Sequence, residues 1–488
     1  MSPVAQAALQ GGVVSLSRVA FGIEVERCVD WLHARRTRVL ATLMDNAPAW
    51  VVLDAAAAQA GVVHVPLPAF FTPQQVAHAL QAAGVDTLAT VPALAAPFAD
   101  APSEELQVAW TSLCALSLPG RAAAMPAGTS KITFTSGTTG APKGVCLRGA
   151  ALEAAAEGIV QALQPLGIDR HLCVLPLAVL LENVAGVLAP LASGATVIVP
   201  PLADVGLTGS SGFDPARFHH AVERHAPHSM ILLPQMLRAW TAWLQQAGFR
   251  APSTLKMVAV GGAAVGVRLV EAAREHGIPA YEGYGLSEGA SVQTLNLPGA
   301  DRPGSAGRPL PHARVRIAGD GEVEVAGTLM AGYLGDATPP SEWWPTGDLG
   351  RLDADGFLHI EGRRKNVLIT GFGRNVSPEW VETALRSEPA IAHGVVFGDG
   401  QPALGAVLWP VREELPDRAL QQAVDAANAS LPDYARIACW VRGAAPFTAQ
   451  AGMATANGRP RRADILALHA AALGLSTSDE KGSHAVLC

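Results

Sequence analysis

Cysteine is rare in this 488-residue chain and nowhere clustered: Cys28, Cys114, Cys146, Cys173, Cys439 and Cys488 form no CxxC pair and no metal-ligand spacing. That scatter excludes a disulfide framework and a cysteine-built metal centre, and reads as reduced thiols of a cytoplasmic protein. Charge of one sign is missing too. With 35 basic and 42 acidic residues, a net charge of −7 and no basic block, the chain offers no surface for nucleic acid. Long unbroken apolar runs are also absent. The most hydrophobic region, residues 172–207, is interrupted by Pro176, Glu182, Asn183, Pro190, Pro200 and Pro201, so it reads as buried core and not as a transmembrane segment. Residues 1–12 lack the charged start and apolar centre of a secretory signal. The Walker spacing is not found, which argues against an ordinary P-loop ATPase.

What the chain does have is enough apolar material, 49% of its residues, to build more than one core. Ala-rich helical segments (54–60, 73–83) alternate with short β-branched runs (62–65, 196–199, 230–233, 257–260), the pattern of parallel sheets with crossover helices. From Gly304 to Ile360 the pattern changes to short strands (315–317, 322–325, 356–360) separated by Gly- and Asp-rich turns, which predicts an antiparallel sheet or small barrel. Beyond Lys365, strands at 367–370, 395–397 and 406–408 and a helix over 378–387 predict a small α+β domain. The expected architecture is therefore α/β: a large N-terminal domain of βα-type parallel or mixed sheets plus a small antiparallel barrel, over residues 1–364. A small mobile α+β C-terminal domain over 365–475 and a disordered tail over 476–488 complete it.

The most telling stretch is Ile132-Thr-Phe-Thr-Ser-Gly-Thr-Thr-Gly-Ala-Pro-Lys-Gly-Val145, an apolar strand that runs into a loop of hydroxyls and glycines ending in Lys143. Glycines let backbone N–H groups turn toward an anion, hydroxyls add donors, and a lysine adds a compact positive charge, so the loop is suited to phosphate. Further motifs follow in order: Val260-Gly-Gly-Ala-Ala264, Tyr281-Glu-Gly-Tyr-Gly-Leu-Ser-Glu288, Gly332-Tyr333, Thr346-Gly-Asp348 and Gly362-Arg-Arg-Lys-Asn366. Taken together, the chain resembles the adenylate-forming superfamily of AMP-dependent synthetases and ligases, and within it the fatty acyl-CoA synthetases.

The resemblance implies ATP, Mg²⁺ and coenzyme A as cofactors and assigns roles residue by residue. Thr135, Ser136, Gly137, Thr138, Thr139 and Gly140, with Lys143, would hold the β- and γ-phosphates. Glu288 would ligate magnesium, with Ser287 touching phosphate. Tyr284 would face adenine beside Gly261, Gly262, Ala263 and Gly285, while Glu282 would accept from the adenine amine. Asp348 would accept from the ribose hydroxyls with Arg363 as a second contact, and Lys365 would be the hinge that lets one site run two half-reactions.

One departure bears on the chemistry. Where the family carries a lysine after Thr-x-x-Gly, here Thr455-Ala-Asn-Gly458 is followed by Arg459; slippage onto Arg461 or Arg462 stays open. Arginine keeps the charge but is longer and planar, so the exchange is not conservative. The expected acyl pocket (178–186, 230–237, 262–265, 285–289) is apolar or small and has no Asp to pair an amino-acid ammonium. Amino-acid activation is therefore disfavoured, and the resemblance of residues 177–194 to fatty acyl-CoA synthetases implies a medium or long aliphatic acid, with coenzyme A as acceptor. The alternatives are an aryl acid, an acyl carrier protein as the thiol partner, β-lactone closure, and an adenylation-deficient nucleotide- or acyl-binding protein.

Overall fold

Turn and cap chemistry fixes where the helices begin. Thr72 and Gln75 form a reciprocal capping box before Pro73–Ala82, Asp214 accepts from the first two free N–H groups of Pro215–His225, and Ser377 caps Pro378–Arg386. In each case proline occupies the first turn, where its missing N–H is not needed. The computed structural model describes residues 7–121, 123–135, 143–209, 212–336, 338–371, 374–455 and 459–474. Ser136, Gly137, Thr138, Thr139, Gly140 and the tail 476–488 lie outside the described residues.

Among the described residues two large sheets dominate. One has nine strands, with Ala280–Leu286, Met257–Val260, Ser229–Leu232, Arg170–Leu172, Thr196–Ile198 and Ala7–Gly11 as parallel neighbours. The other has eight, with Thr87–Thr90, Val39–Leu43, Val63–Leu67 and Thr129–Thr135 parallel at its centre. Both carry antiparallel pairs at their rims, so the expectation of parallel or mixed sheets is met. The predicted antiparallel unit is a curled four-stranded sheet of Ala313–Ile317, Glu322–Gly327, Trp344–Leu352 and Leu358–Arg363. Downstream, Ile391–Phe397, Leu404–Pro410 and Ile437–Arg442 form a three-stranded sheet covered by Pro378–Arg386 and Asp417–Ala429.

Element boundaries differ from the sequence-based expectation where packing overrides local pattern. The helix expected at 54–60 runs over Pro48–Gln59, because Pro48 starts it and its apolar residues are buried almost throughout. The strand expected at 367–370 shrinks to Leu368–Ile369, since its partner Asn375–Val376 is equally short. Residues 182–188 form a wide π-helical turn, a form with no periodic signature. No helix among the described residues is long and apolar enough to cross a membrane.

In the core of the nine-stranded sheet Trp240 is fully buried and meets Phe218 edge-on, with centroids 5.0 Å apart at 88°. Trp240→Ala is expected to destabilise this core by about 3–5 kcal/mol, measured as a lowered midpoint in urea unfolding followed by fluorescence of the remaining tryptophans.

Candidate active site

The strands Thr129–Thr135 and Lys143–Arg148 pair antiparallel with Thr135 opposite Lys143, so these two residues flank the glycine- and hydroxyl-rich segment. The Lys143 side chain is exposed, and its ammonium lies 5.5 Å from the centre of the Tyr333 ring. The Tyr333 phenol in turn donates to Glu288 Oε1 at 2.8 Å. Cation, ring and carboxylate thus stand in a row at the mouth of the loop. Sequence reading quoted Tyr333 only as part of a Gly-Tyr motif; its role as the link became visible with the antiparallel pairing of Gly332–Tyr333 against Val145 and Cys146.

Glu288 sits in the short turn Ser287–Gly289, beside Ser287, and is followed by Ala290 (φ 57°) and Ser291 (φ 105°). Left-handed backbone at two successive non-glycine residues costs on the order of 1–3 kcal/mol each. Neighbours over-determine it. The Met330 N–H donates to the Glu288 carbonyl (2.7 Å), and Thr328 Oγ1 and Gln293 Nε2 both donate to the Gly289 carbonyl. The Glu288 Oε2 has no partner among the described residues, which leaves one hard oxygen for a hard cation.

The floor lies at the C-terminal ends of the parallel strands, where open α/β sheets bind their ligands. Met257–Val260 runs into Gly261, Gly262 and Ala263, the last two exposed, and Gly262 takes φ 83°, which a side chain resists. Gly285 is required by close approach: a Cβ there would fall 2.2 Å from the Ser291 carbonyl oxygen.

Asp348 and Arg363 face each other across paired strands, and Arg363 Nε lies 2.7 Å from Asp348 Oδ1. Tyr284 OH donates to Asp348 Oδ2 at 2.6 Å, and the Asp348 N–H is held by Thr346 Oγ1. The three residues expected at the nucleoside therefore meet in one hydrogen-bonded unit. A carboxylate has about four acceptor positions, so two remain for further donors.

The three candidate arginines near the C-terminus separate cleanly. Arg461 pairs with Asp464 (2.8 Å) and Arg462 with Glu382 (2.7 Å), whereas Arg459 is close enough to Asp348 and Glu288 for both to act on its charge. Lys365 is exposed beside Arg363 and Arg459. Its neighbour Arg364 is tied to the four-stranded sheet through Glu322 (2.5 Å) and Asp320.

Residues 3–334 match the AMP-binding enzyme family and residues 365–473 match the AMP-binding enzyme C-terminal domain. The chain belongs to the AMP-binding enzyme family. This AMP-binding enzyme is 30% identical over 427 residues to long-chain-fatty-acid–CoA ligase FadD15 of Mycobacterium bovis, covering 74% of the chain and 70% of the relative. Among solved structures it is similar to the anthranilate CoA ligase AuaEII in complex with anthranoyl-AMP, with TM-score 0.79, 19% identity and 96% of each chain covered. It is likewise similar to o-succinylbenzoate coenzyme A synthetase of Bacillus subtilis in complex with ATP and magnesium ion, with TM-score 0.70 and 25% identity over 91% of this chain and 94% of that one. It is an AMP-forming ligase, and ATP, magnesium and coenzyme A are the usual components of AMP-forming CoA ligases.

Electrostatics separates the acids of this AMP-binding enzyme. Burial raises the Asp348 carboxyl, while Arg363, Tyr284 and Arg459 oppose that rise. Burial and then Arg363 lower the Arg459 guanidinium; Asp348 and Glu288 pull the other way. Burial, then Arg363 and Arg459, lower the Lys365 ammonium. A second group of candidate ligands, His171, Cys173 and Glu182, is fully buried with donor atoms within 4.8 Å of one another. There His171 already bonds Ser229 (2.8 Å) and Glu182 (3.4 Å), so these side chains satisfy one another without an ion.

Glu282 differs from its expected use. It is 6% exposed, and its Oε2 accepts the Gly304 N–H at 2.7 Å, bracing a loop beneath the floor. Burial raises its carboxyl from 4.5 to about 7. A folded-state value above the unfolded one means that the stabilising protonated form is fully populated below about pH 4.5 and that its contribution is lost as pH rises through about 7. Glu282→Gln keeps the acceptor for Gly304. Its unfolding temperature should match that of the parent near pH 4.5 and exceed it above about pH 7; a difference that does not change with pH in a thermal scan would contradict the raised value.

Proposed function

We propose that the protein joins a hydrophobic carboxylic acid, a fatty acid in first preference, to AMP with release of pyrophosphate, and then transfers the acyl group to the thiol of coenzyme A. The observations that carry this reading are the hydrogen-bonded unit of Tyr284, Asp348 and Arg363 and the row of Lys143, Tyr333 and Glu288 at the strand ends that flank the phosphate-loop sequence.

In the first half-reaction a carboxylate oxygen attacks the α-phosphorus and the α–β bridging bond breaks, with its electron pair leaving on pyrophosphate. Two anions must approach, so positive charge and alignment supply most of the acceleration. Lys143 and the glycine- and hydroxyl-rich segment would hold the β- and γ-phosphates. Glu288 would hold the magnesium that offsets their charge. Asp348 would accept from the ribose, Tyr284 and the Gly261–Ala263 edge would flank the base, and Arg459 would fork between the incoming carboxylate and the α-phosphate. Thiol attack on the acyl carbon of the adenylate then expels AMP. Lys365, the first residue of the segment matched to the C-terminal domain, would let the residues 365–475 unit turn between these steps.

The substrate class follows from the segments expected to form the acyl pocket. Leu180, Val184, Met236, Leu237 and Val265 are buried and apolar, and the acidic Glu182 is turned toward His171 and the Leu175 N–H. The long-chain relative favours an aliphatic acid, and the anthranilate and o-succinylbenzoate enzymes make an aryl acid the nearest competitor.

Pyrophosphate release with Mg·ATP and a panel of fatty and aromatic acids, followed by addition of coenzyme A or acyl carrier protein, tests the reading. Release with a fatty acid and thioester on coenzyme A is expected; no release with any acid, despite ATP binding, would overturn it. Arg459→Ala is expected to slow release by roughly 10²–10³-fold while leaving ATP binding measurable, and an unchanged rate would remove Arg459 from the chemistry.

A further inference from the structure

Five polar side chains from five elements meet in the core between the two large sheets, and the chemistry above uses none of them. Lys131 Nζ lies 2.7 Å from Asp54 Oδ1 and 3.0 Å from Oδ2. Asn183 donates to Asp54 Oδ2 at 2.9 Å and accepts from Lys131. His64 Nδ1 lies 2.6 Å from Asp54 Oδ1, and its Nε2 lies 2.8 Å from Thr42 Oγ1. No member is more than 5% exposed. Burial raises the Asp54 carboxyl, but Lys131 and His64 outweigh it and hold the group below its ordinary range, that is, ionised.

A buried ion pair is weak grounds for stability, because well-packed apolar residues of the same volume often do as well. Its use must be sought in what it aligns. Lys131 lies on Thr129–Thr135, the strand that leads into the phosphate loop, four residues before Thr135 and on the same face by the two-residue period. The pairing of that strand with Lys143–Arg148 shifts register between Thr129 and Lys131, where the first strand carries one extra residue, and Lys131 is the first residue of the new register. A slip by one residue would carry the Lys131 ammonium away from Asp54 and leave both charges buried and unpaired. Asn183 meanwhile belongs to the π-helical turn Glu182–Leu188, within the acyl-pocket segment, whose adjacent Glu182 reaches the opposite way to His171 and, through it, Ser229 of the nine-stranded sheet.

We propose that Asp54, Lys131 and Asn183 are positioning residues: one buried charge pair fixes the register of the strand feeding the phosphate loop and ties it to the turn that borders the acyl pocket, so that ATP and acid sites are held in alignment. The inference rests on the reading of residues 135–144 as the phosphate loop and deepens it.

The decisive variant is the neutral double Asp54→Asn/Lys131→Met, which removes both charges and leaves none unpaired; an Asn183 amide turned over can still bond Asn at 54. Acid-dependent ATP–pyrophosphate exchange and thermal unfolding are measured together. Unfolding near the parent temperature with KM for Mg·ATP and for the acid each raised about tenfold or more is expected. Parent-like KM values for both substrates would overturn the proposal. Should the double variant not fold, Asn183→Ser loosens only the tie to the π-helical turn: a rise in KM for the acid is expected, and unchanged KM values again overturn it. Failure of the underlying reading is distinguishable, because the unaltered protein would then show no exchange with any acid.

Discussion

The pairing of Arg363 with Asp348 is the contact on which the rest of the cleft depends. It closes the end of the curled four-stranded sheet and, through the Tyr284 hydroxyl on the other carboxylate oxygen, joins that sheet to the last parallel strand of the nine-stranded one. Without it, Arg363, Lys365 and Arg459 would face one another uncompensated: after burial, which lowers Lys365 and Arg459 most, the Arg363 charge lowers both further. An enzyme that binds a triphosphate needs such a surplus of positive charge, and must keep it ordered when the ligand is absent. Here the carboxylates of Asp348 and Glu288 serve that purpose from either side of Arg459.

The same contact sets the geometry at the junction between the two segments matched to the family. Arg364 anchors to Glu322 and Asp320, while one residue on, past Lys365, Asn366 bonds to Glu379 at the start of Pro378–Arg386. Lys365, proposed above as the turning point, lies between an anchored arginine and an anchored asparagine. Across the interface, Arg268 pairs with Glu388, and Gly266 leaves room that a Cβ would close to 3.1 Å from Ser387 Oγ.

Much of this was legible in the sequence where one residue type answers one local demand. Glycine at 262 meets a left-handed backbone, glycine at 285 a close carbonyl, and Pro378 after Ser377 a helix start. The alternation of helix and strand up to about residue 300, and its change afterwards, followed hydrophobic periods that the fold preserves. What escaped is what only folding brings together. Asp54, His64, Lys131 and Asn183 are dispersed along the chain, and each reads singly as an oddity in an apolar stretch. The π-helical turn that carries Asn183 has no periodicity to betray it. Glu282 looked like a base-recognition group because it sits in a motif, but its direction along the strand turns it under the floor to Gly304. Spacing pointed to Arg459 and kept Arg461 and Arg462 open; that Asp464 and Glu382 engage those two is a contact only the fold shows.

A crystal structure of the protein soaked with ATP and magnesium tests the central claim most directly. The account predicts the ribose hydroxyls on Asp348, the terminal phosphates over the Thr135–Lys143 neck, a cation on the second oxygen of Glu288, and the Arg459 guanidinium turned to the α-phosphate. Nucleotide bound elsewhere, or a cleft closed by the Tyr284–Asp348–Arg363 unit with no density above it at saturating ATP, would contradict it.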